Sequence, residues 1–446
     1  MKNVLTLLLL AIGITATAQE AKVLTLKDAI QYALENKAEA VKAKLQVENS
    51  EYKIQEIRAM ALPQIAANGN LTYNPILQTQ VIDGAGFGQP GTTIQAVFGQ
   101  KWTSTAGVNL NQNIFNQAIF TGLRAAQTTR EFYQVNKDLT DEQVIEKVAS
   151  NFYSVHVQRL RLHLLDSNYV NTAKVLDIIK GQYDNGLAKK IDLDRTTVKL
   201  SNIDAQRQQV LNSLQLQENT LKFFIGMPIA TEIIIPQREF EVTPLNLSEI
   251  PNMKTRNEYM VVKKQEELLV FNKKSIEAEY YPTLSLNAGY NFIGQGPEFP
   301  WFARPDKGVY WSDFSAIGLN LNVPIFTGFG TRARVRQADI EIRTAQQDLI
   351  DTELALDLDY KNALVRIENS LSTIKSQEEN RVLADAIMRD TKNNYMQGLA
   401  SLTDLLDAQN AYIEAENNYT SAILEYKLAE VQLIKSKGEL KTLINN

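Results

Sequence analysis

The chain has no cysteine and two histidines among its 446 residues. No disulfide framework, thiolate metal site or cysteine nucleophile is available to it. Such a chain suits an oxidising compartment, where stray thiols are a hazard. His156 and His163 stand seven apart with no cysteine or clustered carboxylate beside them, so no metal site is expected. A basic excess is missing as well. The formal net charge is −5, and no nucleic-acid partner is expected without a basic stripe. There is no Walker A sequence and no nucleophile–base constellation. Gly84-Ala85-Gly86-Phe87-Gly88 is not held between a strand and a helix start, as a dinucleotide fingerprint requires, and reads as a flexible loop. Neither enzymatic activity nor a cofactor is expected.

Long hydrophobic runs are also scarce. The one clear run is Val4 to Ile14, preceded by Lys2 and followed by Ala16-Thr17-Ala18. A charged start, a short apolar core and a small-x-small site make residues 1–18 a secretory signal, with cleavage after Ala18. The run is too short to span a bilayer as a helix. No other segment approaches 18 apolar residues. Hydropathy alone would therefore make the mature chain a soluble periplasmic protein, but barrel strands carry a much weaker signal than membrane helices.

An internal repeat organises the rest. The run from Pro63 to Asn68 lines up with Pro282 to Asn287, 219 positions on. Gly107-Val108-Asn109-Leu110-Asn111 lines up with Gly318-Leu319-Asn320-Leu321-Asn322, 211 positions on. Tyr183-x-x-Gly186-Leu187-Ala188 lines up with Tyr395-x-x-Gly398-Leu399-Ala400, 212 positions on. Matches in one order at nearly constant offset define a duplicated unit, 19–246 and 247–446. The first repeat predicts a helix over 26–60, strands over 64–74 and 104–115, a long helix over 118–182 and a helix over 190–225. The second predicts a helix over 252–280, strands over 283–292 and 315–326, a long helix over 330–394 and a helix over 402–442. Thr25 with Asp28 makes a capping pair at the first helix start.

The strands alternate with period two, which gives each sheet face its own residue class. Leu284, Leu286, Ala288, Tyr290 and Phe292 oppose Thr283, Ser285, Asn287, Gly289 and Asn291. The other three segments alternate likewise, placing Asn68, Asn109 and Asn320 on the polar side. A soluble sandwich usually wets its outer face with Lys and Glu. Uncharged Asn, Ser and Thr suit the interior of a narrow, water-filled barrel. About ten residues per segment match a tilted membrane strand. Trp102, Trp301 and Trp311 fall in the two inter-strand loops, where interfacial aromatics flank a barrel. Four strands cannot close a barrel, and open edges are not tolerated in lipid. Several protomers must share one, and three would supply twelve strands.

Residues 330–394 contain no proline, and their only glycine is Gly330 at the start. As a helix this stretch is about 100 Å long. Apolar positions recur at three- and four-residue steps through Ile340, Leu349, Leu356, Ala363, Ile367, Leu371, Ile374, Leu383 and Ile387, the pattern of coiled-coil packing with solvated faces. The predicted fold is a mixed α and β membrane protein: four strands per protomer in a shared 12-stranded trimeric β-barrel, continued by a long antiparallel α-helical coiled-coil tunnel.

With these features the chain resembles the TolC family of outer-membrane efflux and secretion channels over essentially all of its mature length. The resemblance rests on Leu24 to Ile30, on the strand entries Leu62-Pro63 and Tyr281-Pro282, and on Pro324 to Gly330. Its most specific part is Tyr395 to Gln409. It implies a homotrimer in outer-membrane lipid with a periplasmic helical tunnel. It also implies docking to a periplasmic adaptor and an inner-membrane pump that supplies the energy, leaving this chain a passive exit duct. Asp404 and Asp407, three apart on one helix face, match family positions that form acidic rings at the closed periplasmic end. An ordinary helix start, where Asp suits the dipole, is the other reading. Asp192 matches a latch position and Tyr395 a gate tyrosine. Ala400 stands where some members carry the latch arginine, leaving Arg195, Lys189 or Lys190 as substitutes. Gly186-Leu187 and Gly398-Leu399 are expected to cap the helical hairpins and meet the adaptor. The competing reading is a non-transport periplasmic coiled-coil scaffold or adaptor with a small β domain, whose apolar strand face would pack on its own helices.

Overall fold

A computed structural model describes residues 22–88, 90–236, 250–303 and 305–444. The signal expected over 1–18 lies outside the described residues. In chain order the elements are β1 (Lys22–Val23), α1 (Leu26–Asn36), α2 (Ala38–Ala59), β2 (Gln64–Tyr73), β3 (Gln78–Asp83), β4 (Thr93–Phe98), β5 (Trp102–Phe115), α3 (Gln117–Asp184), α4 (Lys190–Ile225), β6 (Ile233–Ile234), α5 (Asn257–Glu277), β7 (Thr283–Gly296), β8 (Tyr310–Asn322), α6 (Gly330–Met396) and α7 (Leu402–Lys437).

The chain forms two compact units. One comprises the residues up to Val47, Tyr133–Val262 and those from Asp348 on; the other is Glu48–Phe132 with Lys263–Gln347. Each draws on both sequence repeats, so the repeats are not themselves the compact bodies.

In the first unit a core forms where α1, α3, α4 and the chain end meet, around Leu24, Ile30, Ile145, Val148, Leu221, Ile225 and Val431. A second forms between α6 and α7, with Met253, Leu356, Tyr360, Ile367, Tyr426 and Leu433. The buried side of α6 here runs Leu349, Leu356, Tyr360, Ala363, Ile367, Ser370 and Ile374. Their spacings of seven, four and three are those of a coiled-coil seam. Ile340, Leu383 and Ile387, counted with this row from the sequence, are exposed: their positions do not fall on the seam.

The helix expected over 26–60 breaks at Lys37, which takes extended backbone angles. The cause is tertiary. Lys37 is buried, donates from Nζ to the Phe223 carbonyl at 2.9 Å, and sits 3.6 Å above the Phe223 ring. The helix expected over 252–280 is shortened to α5, flanked by 3-10 turns at Met253–Thr255 and Ala278–Tyr280. The last helix stops at Lys437, where Gly438 adopts φ 79°. The parallel β1–β6 pair was not legible in two-residue segments.

The second unit carries an antiparallel sheet in the order β2-β5-β7-β8. Its register joins the alternation of all four strands. Ile65 pairs with Leu110, Leu110 with Ala288 and Ala288 with Ile317, making one apolar row across the sheet. Residues paired opposite one another share a face, so the two classes stay apart over most of the sheet; toward its Trp102 end Asp313 falls opposite Phe292 on the apolar face and Phe314 opposite Asn291 on the polar one. The strand expected over 315–326 begins five residues earlier and ends at Asn322; Pro324 beyond it has no N–H to donate. β7 runs on to Gly296 and β5 starts at Trp102. The first inter-strand loop holds its own hairpin, β3 with β4. Gly84–Phe87, read as a flexible loop, is a 3-10 turn capped by Asp83.

Candidate functional site

The helix tips belong to the first unit, and both are built the same way. Gly186 and Gly398 take φ 73° and 74°, left-handed angles that glycine reaches without strain. Leu187 N–H donates to the Gln182 carbonyl and Leu399 N–H to the Asn394 carbonyl, each at 2.8 Å. Gly186 and Gly398 donate to the Tyr183 and Tyr395 carbonyls at 2.9 and 3.0 Å. This is the paired-bond helix ending known as the Schellman motif. It leaves Leu187 80% and Leu399 74% exposed, two leucines with nothing of this protomer covering them.

Asp192 lies in the first turn of α4, and Tyr395 in the last turn of α6. The fold brings them together: partial burial and the nearby Asp192 carboxylate both push the Tyr395 hydroxyl above the ordinary tyrosine range. Asp404 is engaged in a capping box. Its Oδ2 accepts from Ser401 Oγ at 2.7 Å and Ser401 N–H at 2.8 Å, while its own N–H donates to Ser401 Oγ at 3.2 Å. The Ser401 hydroxyl, then its N–H, holds the Asp404 carboxyl below the usual carboxylate range. Asp407 is exposed and has no ion-pair partner among the described residues.

Of the three cations weighed against Ala400, Arg195 reaches across: its Nη1 donates to Thr403 Oγ1 at 3.1 Å, tying the start of α4 to the start of α7. One helical turn further on, Lys199 donates to Asn410 Oδ1, and burial pulls its ammonium below the ordinary lysine range. Deeper still, Gln409 Nε2 donates to Asn168 Oδ1 at 2.5 Å and Thr172 Oγ1 at 2.9 Å, all three buried. Sequence reasoning passed over Lys199, Asn410 and this buried trio. Each is a polar residue on a long helix, and only the crossing of helices distant in sequence pairs it.

In the second unit, Asn68, Asn109, Asn287 and Asn320 lie on the polar face. Asn109 Nδ2 donates to Asn68 Oδ1; Asn287 stands opposite Gly318, and Asn320 opposite Ser285. Over the paired strand residues this face has no Asp, Glu, Lys or Arg. The apolar face is bare: Ile317, Leu319 and Leu321 are 82%, 67% and 63% exposed. Trp102 and Trp311 belong to strand ends, not loops as the sequence suggested, because both strands run further. Trp102 packs on Tyr73 and Phe299, and Trp301 on Trp311, with ring centroids 4.5, 5.4 and 5.2 Å apart. Trp301 Nε1 donates to Ser104 Oγ at 3.0 Å. The aromatics therefore form a packed cluster at one end of the sheet.

Among the described residues no helix is long and apolar enough to cross a membrane. The chain is 22% identical to Outer membrane protein TolC of Vibrio cholerae serotype O1 over 340 residues, covering 75% of this chain and 77% of that one. It is 21% identical to Alkaline protease secretion protein AprF of Pseudomonas aeruginosa, covering 73% and 68%. The fold is similar to the crystal structure of the outer membrane protein VceC from Vibrio cholerae, with TM-score 0.71 and 15% identity over 93% of this chain and 96% of that one. The family described as Outer membrane efflux protein matches residues 29–227 and 274–439. With that match over well more than half of its length, the chain belongs to the outer membrane efflux protein family.

Proposed function

We propose that three copies of this chain close one twelve-stranded barrel and line a periplasmic tunnel with their long helices. As a family member, the protein is an outer-membrane channel component of an efflux or type I secretion system. The observation that supports the shared barrel is the sheet itself. Over most of the sheet one face is apolar and uncovered and the other polar and uncharged, and among the described residues the outer edges of β2 and β8 are unpaired. In lipid an unpaired edge leaves backbone N–H and C=O groups without partners, at several kcal/mol each. Pairing β8 of one copy with β2 of the next removes every edge. A periplasmic scaffold or adaptor would cover Ile317, Leu319 and Leu321 with its own helices, whereas in this chain they are exposed.

On this reading Asn68, Asn109, Asn287 and Asn320 line the lumen. Trp102, Trp301 and Trp311 sit at a membrane–water interface, where their amphipathic rings are favoured. At the helix tips, Asp192, Tyr395, Asp404 and Asp407 surround the periplasmic aperture, with Arg195 to Thr403 in place of the missing arginine latch. Leu187 and Leu399 meet the periplasmic adaptor, which joins the duct to an inner-membrane pump. Substrates pass through without chemistry on this chain. The deciding measurement is mass in detergent after extraction from outer membranes. A trimer that requires amphiphile supports the reading; a monomer recovered from the periplasm without detergent sinks it. In planar bilayers, alanine at Asp404 and Asp407 should weaken block by divalent cations, and an unaltered single-channel record would remove these residues from the aperture.

A further inference from the structure

The polar sheet face is not a simple carpet of asparagines. Several of its amides lie across a glycine of the next strand. Asn109 stands opposite Gly289, and Asn291 opposite Gly107. A Cβ built on Gly289 would fall 2.6 Å from Asn109 Oδ1 and 3.2 Å from Asn291 Nδ2. A Cβ on Gly107 would fall 1.9 Å from Asn291 Oδ1. Both are closer than atoms can approach, so the amides occupy the space that a side chain on the facing strand would fill. They lie along the sheet instead of standing off it. Asn109 also donates sideways to Asn68, which holds its amide down from the other flank. Glycine weakens a strand interior and often marks a close approach. Here what approaches is an amide.

We infer that Gly289 is a positioning residue: it lays the Asn109 amide flat on the barrel wall and thereby widens the bore. Gly107 does the same for Asn291. The inference rests on the barrel reading above and adds what the lumen selects for. An amide-lined wall with no charge on it admits polar solutes of either charge and limits them by size. Selection by charge is left to the carboxylates at the helix tips.

The test uses full-length channels in planar bilayers, with neutral polyethylene glycols of graded size added from the external side. Gly289→Ala lifts the Asn109 amide into the lumen, so the largest polymer that enters becomes smaller and conductance falls. The double variant Gly289→Ala/Asn109→Ala restores both. Asn109→Ala alone leaves the size limit at the wild-type value, because a flat amide obstructs nothing. A Gly289→Ala channel with an unchanged limit overturns the inference, as does an Asn109→Ala channel with a larger one. Asn109→Ala alone keeps Gly289 untouched and decides the matter even where Gly289→Ala fails to assemble. A wild-type protein that opens no pore defeats the barrel reading itself, which separates that failure from this one.

Discussion

Replacing Ile317 with arginine tests the membrane face most directly. Ile317 sits near the middle of β8, 82% exposed, at the end of the apolar row that runs through Ala288 and Leu110 to Ile65. If that face meets lipid, an arginine near the bilayer midplane costs about 2–4 kcal/mol. Three copies in one barrel bring this to roughly 6–12 kcal/mol per assembly, comparable to the whole stability of a domain. If the face meets water instead, so exposed a substitution changes stability by about 0.5 kcal/mol or less. Copy for copy, the two settings therefore differ by about fourfold or more. Asn320→Arg, three residues on and on the opposite face, is the control: its charge faces the lumen and leaves assembly intact. The assay is the yield of detergent-extracted trimer, followed by denaturant unfolding in vesicles. Ile317→Arg is expected to abolish or sharply reduce assembly while Asn320→Arg assembles. Equal yield and stability for both would refute the assignment of the two faces.

Ser401→Ala removes the hydroxyl's bond to Asp404 Oδ2 and the bond from the Asp404 N–H, leaving the Ser401 backbone N–H bond in place, so amide exchange over 402–405 should quicken. Because the Asp404 carboxyl lies below its ordinary range, its contribution is present above about pH 4 and lost as pH falls through the lowered value; in Ser401→Ala, which keeps only the backbone N–H bond, this acid step should shrink. Tyr395→Phe and Asp192→Asn remove the two members of the pair at the helix tips, and each should raise the resting conductance of single channels. Ile367, fully buried between α6 and α7, should cost about 2–5 kcal/mol on truncation to alanine, read by denaturant unfolding. Arg159 holds Glu218 at 2.6 Å and the Ile233 carbonyl at 2.8 Å. Arg159→Met should destabilise by about 2 kcal/mol and quicken amide exchange over Ile233–Ile235.

Much of the fold was legible because its signals are local and periodic. Asn, Gly and Leu recurring at period two declared two-faced strands, and the duplicated Tyr-x-x-Gly-Leu declared two helix ends of one kind. Those ends are set by glycine at a left-handed angle, and no distant contact is needed to place them. Strand limits were less legible, because a strand extends as far as its neighbour offers pairing. β7 runs on to Gly296 because β5 and β8 continue beside it, which no window of ten residues reveals.

What the chain determined alone was the division of the strand middles into faces, since a side chain's class and its spacing are properties of the sequence. Which residues on those faces touch was settled by tertiary structure. Lys37 ends a helix because Phe223, 186 positions on, takes its ammonium; Gln409 finds Asn168 across a crossing of α7 on α3. Gly289 makes room for Asn109 only through the antiparallel register of two strands far apart in the chain. Periodicity says which way a side chain points, but not what stands opposite: that follows from long-range packing and register, and a single segment does not encode them.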